Sequence, residues 1–171
     1  HSTRKNHPNP THPIDRHRPT PPARQFEIAH DGDRHNQVLE KISRKDNPQM
    51  VLGVFEQRFQ AMSDVRPKGD DLWIALDRVR DPGNLGTILR TADCVGAKGV
   101  ILVGDCTDPY SLEAVRASMG SIFHVPLAKA SEGEFLQWKQ RSGVRVVGTH
   151  LDGAVDYRTA DYGEPSVMLM G

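Results

Sequence analysis

The chain has 171 residues, enough for one domain of ordinary size with an appendage. Lys plus Arg and Asp plus Glu each number 22, so net charge demands no nucleic-acid partner and any basic patch must be local. No apolar run approaches the ~20 residues of a membrane helix, no signal-peptide core is present, and Cys94 and Cys106 lack CxxC spacing, so a soluble cytoplasmic protein with two ordinary thiols is expected.

Residues 1–25 hold six of the twelve prolines and four of the eight histidines, with Ile14 as the sole large aliphatic residue. Such a segment cannot bury enough apolar surface to offset its ordering entropy, and it is expected to be disordered. It carries Arg4, Lys5, Arg16, Arg18 and Arg24 against Asp15 alone. Its histidines are irregularly spaced and interrupted by prolines, so no metal site is expected. Residues 26–61 are mixed. Val38, Leu39 and Ile42 suit a short helix, and Met50 to Phe55 suit a strand. Residues 62–70, with Pro67 and Gly69 as breakers, suit a linker.

From Asp71 the pattern becomes regular. A strand is expected over 72–77. A helix follows with Leu85, Ile88, Leu89, Ala92 and Val95 on one face, a 3.6-residue period. Asn84 suits its N-cap and Gly96 its C-terminal glycine. A strand over 100–103 comes next. Asp108-Pro109 then suits a helix start, with Leu112 and Val115 as the apolar face and Gly120 as the stop. A short strand is expected over 122–127. Ser131 to Glu134 reads as a capping box leading into Phe135, Leu136 and Trp138, ended by Gly143. Strands over 144–148 and 167–170 complete the series. Alternating helices and near-continuous apolar strands imply an α/β fold with a parallel sheet flanked by helices. The chain begins at His1 rather than Met and stops at Gly171 as a core strand ends, which suggests a fragment.

Ligands in such sheets bind beyond the carboxyl ends of the strands. Three places qualify: the loop from Arg78 to Asn84, the loop from Thr149 to Gly153, and whatever begins at Gly171. Gly83-Asn84-Leu85-Gly86 lacks GxGxxG spacing, and no GxxxxGK[ST] occurs, which argues against dinucleotide and nucleoside-triphosphate sites. Gly83 and Gly86 are equally well read as turn glycines. Arg90 is either a solvated helix residue or a functional cation. Its guanidinium stays protonated, so it cannot act as a base, but it can hold a phosphate bidentately and stabilise a developing alkoxide. Asn84 suits a plain cap or a hydrogen bond to substrate. His124 and His150 each sit beside an apolar strand, where a packing role is commoner; His150, at a strand's carboxyl end, is the better functional candidate. Arg116 and Ser118 lie near a helix end, where simple termination competes with a binding role.

The run from Asp81 to Asp93, DPGNLGTILRTAD, resembles motif 1 of the SpoU/TrmH family of RNA ribose 2′-O-methyltransferases, within the SPOUT superfamily. Arg116 to Pro126 resembles the family's ASxGxxxHxP-like segment. Val147 to His150 resembles the strand and loop beside its cofactor, and Val167 to Gly171 the strand and first glycine of motif 2. The likeness covers residues 71–171. Residues 26–61 weakly resemble the end of the small RNA-binding domain that many members carry in front. The glutamate of motif 2, and motif 3 with its serine and asparagine, lie beyond Gly171, so the α/β knot is incomplete.

The resemblance implies four parts: a disordered segment (1–25), a partial RNA-binding domain (26–61), a linker (62–70) and a methyltransferase domain (71–171). It implies S-adenosyl-L-methionine as cofactor and RNA as substrate, ribosomal before transfer RNA. It also implies a homodimer when complete, with neither metal nor membrane. Arg90 and Asn84 would be catalytic. Thr149, His150, Leu151 and Gly171 would line the cofactor pocket, and Arg90, Arg116 and Ser118 would meet RNA. The polypeptide alone is expected to be inactive and to bind cofactor poorly. A non-catalytic RNA-binding SPOUT relative is the alternative. An unrelated α/β small-molecule enzyme is a third reading, which motif 1 disfavours.

Overall fold

The apolar run ahead of motif 1 forms the centre of a sheet. In a computed structural model, Leu72–Asp77 is strand β1, with all four inner residues buried. The structure describes residues 55–171 together with Gln37, Lys41 and Ile42. The disorder expected of 1–25, the helix around Val38 and Leu39 and all but the end of the strand at 50–55 lie outside the described residues.

Four more strands join β1: β2 (Gly99–Val103), β3 (Leu127–Ala130), β4 (Arg145–Gly148) and β5 (Ser166–Met170). Their order is β3-β2-β1-β5-β4, and every pairing is parallel. Within residues 55–171, helices α1 (Pro82–Cys94) and α3 (Glu132–Ser142) pack on the sheet, and α2 (Leu112–Ala117) packs on α1. Because side chains alternate across a strand, each strand feeds two cores. Trp73, Ala75, Ile101, Val103, Ala128 and Val167 meet Phe135 and Trp138 of α3 on one face. Ile74, Leu76, Val100 and Leu102 meet Leu85, Leu89 and Ala92 of α1 on the other. This two-faced burial is why the central strands read as continuous apolar runs.

Several boundaries differ from expectation, each for a local reason. Helix α1 starts at Pro82, and its N-cap is Asp81, not Asn84. A proline at the first helical position lacks an N–H that would be unpaired anyway. Asn84 falls in the first turn and donates its backbone N–H to the Asp81 carboxylate. Val95, expected on the apolar face, is the C-cap and is 57% exposed, while Gly96 takes the left-handed conformation expected of it (φ 69°). Helix α2 starts after Ser111 rather than at Asp108-Pro109, and Leu112 is exposed. Asp108 instead closes a turn, its carboxylate accepting from Tyr110 N–H and its carbonyl from Ser111 N–H, a competing use typical of Asp before Pro.

The strand expected over 122–127 is a 3-10 turn (Ser121–Phe123), and β3 begins only at Leu127. Pro126 has no N–H to give a ladder, and Ile122 and Val125 are buried in the core beneath α1. The capping box of α3 is present in full: Ser131 takes the Glu134 N–H, and the Glu134 carboxylate takes the Ser131 N–H. Leu136 of α3 is exposed, and Gly143 ends the helix at φ 65°. Ahead of β1, Val65 is 3% exposed and its carbonyl accepts from Trp138 Nε1 at 2.8 Å.

Candidate functional site

The chain leaves β1 for β2 and β3 on one side and returns through β4 and β5 on the other. That reversal puts the switch in strand order between β1 and β5, and ligands of open α/β sheets sit beyond the carboxyl ends of the strands at such a point. The register brings Asp77, Gly171 and Thr149 to this edge, since Leu76 pairs with Met170 and Gly148 with Leu169. At Gly171 a Cβ would lie 2.7 Å from the Asp77 carbonyl oxygen, so a side chain there would push the end of β5 off β1. Thr149 turns the next loop away from the sheet, its N–H donating to Leu169 O at 2.9 Å and its hydroxyl at 3.3 Å. His150 Nδ1 accepts the Asp152 N–H at 3.1 Å. The Leu151 side chain is 93% exposed.

Asp77 and Arg78, which sequence reasoning did not single out, stand at the same edge. Arg78 grips Asp77 with Nε and Nη2, at 2.8 and 2.7 Å. The guanidinium holds the Asp77 carboxyl below the usual carboxylate range, and Asp77 in turn raises Arg78. Arg78 adopts φ 54°, a left-handed conformation rare outside glycine. Its side chain lies against Gly104, where a Cβ would come within 3.2 Å of Arg78 Cγ. Arg80 pairs with Asp105 at 2.6 Å. The available signal was a run of charged residues directly after a fully apolar strand.

Helix α1 separates the two proposed catalytic residues. Six residues advance about 9 Å along a helix and turn about 600°, so Asn84 and Arg90 do not share a face. Both are exposed. Arg90 instead follows Gly86 by one turn on the same stripe. Gly86 is a helix residue, not a turn glycine. A Cβ there would lie 2.5 Å from Ala117 Cβ, 2.6 Å from Ala114 O and 2.8 Å from Ser118 N. The missing side chain thus lets α2 press directly against α1. Arg90 lies on α1 one turn past that contact and is exposed.

Arg116 and Ser118 occupy this second region, away from the strand ends. Ser118 is fully buried, and its hydroxyl donates to Val115 O at 2.7 Å, so its side chain is spent on ending α2. Arg116 lines a cavity of about 450 Å³ with Pro82, Thr107, Ser111, Leu112 and Glu113. A second cavity, of about 440 Å³, is lined by Gly104, Asp105, Lys129, Ala130, Ser131 and Glu134 at the ends of β2 and β3. His124 Nδ1 lies 3.6 Å from the Asp93 carboxylate, which ties the 3-10 turn to α1. Among the described residues, no cluster of three His, Cys, Asp or Glu side chains is placed to hold a metal ion. None of the described helices is long and apolar enough to cross a membrane.

Residues 71–171 match the model of the SpoU rRNA Methylase family. A 23S rRNA uridine 2′-O-methyltransferase of Streptomyces viridochromogenes is 32% identical over 78% of the chain and 49% of its own length. The crystal structure of an rRNA methyltransferase from Sinorhizobium meliloti superposes with a TM-score of 0.77 at 58% identity, covering 79% of this chain and 52% of that one. An AdoMet-bound structure of a Sinorhizobium meliloti rRNA methyltransferase gives 0.75 at 57% identity, over 78% and 51%. The chain therefore spans about half the length of the relatives it matches.

Proposed function

Because the chain belongs to the SpoU rRNA methylase family, we propose that it serves the transfer of a methyl group from S-adenosyl-L-methionine to a ribose 2′-hydroxyl of RNA, ribosomal in preference to transfer RNA. The observation that carries this is the β1–loop–α1 unit, which holds motif 1 beside the carboxyl edge shared by β1, β5 and β4. The bareness of that edge suits a cofactor. Gly148 has open space where a Cβ would be, and Gly171 admits no side chain against Asp77. Thr149, His150, Leu151 and Gly171 would hold the cofactor, largely through backbone groups. When bound, it supplies an electrophilic methyl carbon and departs as a neutral thioether.

The chain's own residues supply position and charge. Arg90 supplies a guanidinium, whose planar fork of donors suits phosphate. It holds an RNA phosphate bidentately and stabilises negative charge growing on the 2′-oxygen. Asn84, on a different face of α1, hydrogen-bonds the substrate nearer the helix start, and Arg116 adds a second cation toward the RNA from its cavity wall. Residues 26–61 belong, on this reading, to a small RNA-binding domain joined by the linker 62–70. A homodimer and a cytoplasmic location accompany the proposal.

The test is single-turnover methylation by the full-length protein, with labelled S-adenosyl-L-methionine and ribosomal RNA. Arg90→Ala should slow the chemical step by roughly 10²–10³-fold, the scale of losing one charge-stabilising donor, while cofactor affinity holds. An unchanged single-turnover rate would remove Arg90 from the chemistry.

A further inference from the structure

β3 is one of the two outer strands of the sheet, and the segment 55–60 meets its free edge at Gln60. Gln60 forms a parallel bridge to Ala128, and its N–H donates to Leu127 O at 2.7 Å. Two residues earlier, one side chain satisfies both backbone groups of Arg58. The Tyr110 hydroxyl donates to Arg58 O at 2.6 Å and accepts the Arg58 N–H at 3.0 Å. Phe59 meets the Tyr110 ring edge-on, with centroids 5.3 Å apart, and lies under the Lys129 ammonium at 4.2 Å. Phe55 packs on Phe123 at 4.5 Å.

The segment itself is largely exposed, Phe55 by 46% and Phe59 by 36%. It therefore has little buried area to offset its ordering entropy, and directed contacts must hold it. Tyr110 contributes two hydrogen bonds and a ring contact at one point. It also stands in the loop between β2 and α2, whose helix rests on Gly86 of α1. The latch and the helix carrying Arg90 thus share one support. Burial pushes the Tyr110 hydroxyl up from its ordinary pKa, the Arg58 backbone bond opposing that and Asp108 adding to it, so it stays a donor at neutral pH.

We propose that Tyr110 is a positioning residue: it pins the segment at Arg58 and Phe59 beside the β3 edge, so that RNA reaches α1 past a fixed entry point. The entry-point role rests on the methyltransferase reading above; the docking does not. The decisive variant is Tyr110→Phe, which removes the hydroxyl and keeps the ring. In the full-length protein, amide exchange at Arg58 and Gln60 should quicken by at least about tenfold, since both hydrogen bonds to Arg58 are lost together, with β1 and β2 amides unchanged. The KM for ribosomal RNA should rise by a similar factor (roughly tenfold) with kcat and cofactor affinity held, as expected when orientation rather than chemistry is lost. Phe59→Ala, which leaves the hydroxyl in place, should shift both readouts in the same direction. Unchanged exchange overturns the latch, even if KM rises, because Tyr110 would then be a direct RNA contact. Faster exchange with unchanged KM overturns the positioning role. A wild-type protein that protects Arg58 and Gln60 yet methylates no RNA would sink the functional reading and the entry-point role together, leaving only the docked segment.

Discussion

Gly86 illustrates how one absent methyl group sets the spacing of two helices. In an exposed helix, Gly→Ala gains about 1 kcal/mol of helix propensity. Here the added Cβ would meet Ala117 Cβ at 2.5 Å and the Ala114 carbonyl at 2.6 Å. Backbone cannot step aside as a flexible side chain can, and overpacking of this kind costs about 1–3 kcal/mol. The clash outweighs the propensity gain, so Gly86→Ala should lower stability, seen as a reduced urea midpoint with an unchanged slope. An unaltered midpoint would mean that α2 slides off α1 without cost. In sequence, Gly86 was indistinguishable from a turn glycine, because its neighbour Ala117 lies 31 positions away. Asp81 and Asn84 present a related ambiguity: both are good caps, and the fixed φ of Pro82 between them makes Asp81 the one used.

At the scale of elements, α3 was the most legible because all its signals are local. Ser131 and Glu134 form the capping box, Phe135 and Trp138 are buried, and Gly143 closes the helix. Ser131→Ala should cost about 1 kcal/mol, a typical N-cap loss, measurable by calorimetry as a lowered Tm. The cap is also pH-dependent. Hydrogen bonds from the Ser131 backbone and hydroxyl hold the Glu134 carboxyl below its ordinary pKa. A depressed folded-state pKa stabilises the fold above the unfolded value, and that contribution is lost as pH falls through the folded one. Acid should therefore fray the start of α3, and in Ser131→Ala, which keeps the backbone bond to Glu134 and loses the hydroxyl bond, that acid dependence should shrink. Identical acid profiles for the two proteins would exclude the Ser131 hydroxyl as a contributor to it. The strand after α2 was less legible. Ile122, Phe123 and Val125 carry strand-forming composition, yet they pack as a turn, and Pro126 delays pairing until Leu127.

For the whole molecule, stability is centred on β1, which pairs on both edges and feeds both cores. Leu76 has no solvent exposure, so Leu76→Ala should cost about 2–5 kcal/mol through lost transfer energy and a residual cavity. Chemical denaturation would check this, and a loss below about 1 kcal/mol would mean that the core closes over the gap. The amino-acid sequence by itself determined most of the alternation of strands and helices, the greater part of the apolar faces, the glycine stops at Gly96 and Gly143 and the motif that marks the family, because each is written within one or two helical turns. The tertiary structure decided what distant residues do to one another. It placed β5 between β1 and β4, so that Gly171 meets Asp77 and Thr149 meets Leu169. It set Gly86 of α1 against the end of α2, and it gave both backbone groups of Arg58 to Tyr110, 52 residues on. Strand order and helix contact depend on how two cores fill at once across the sheet, and no local pattern carries that information.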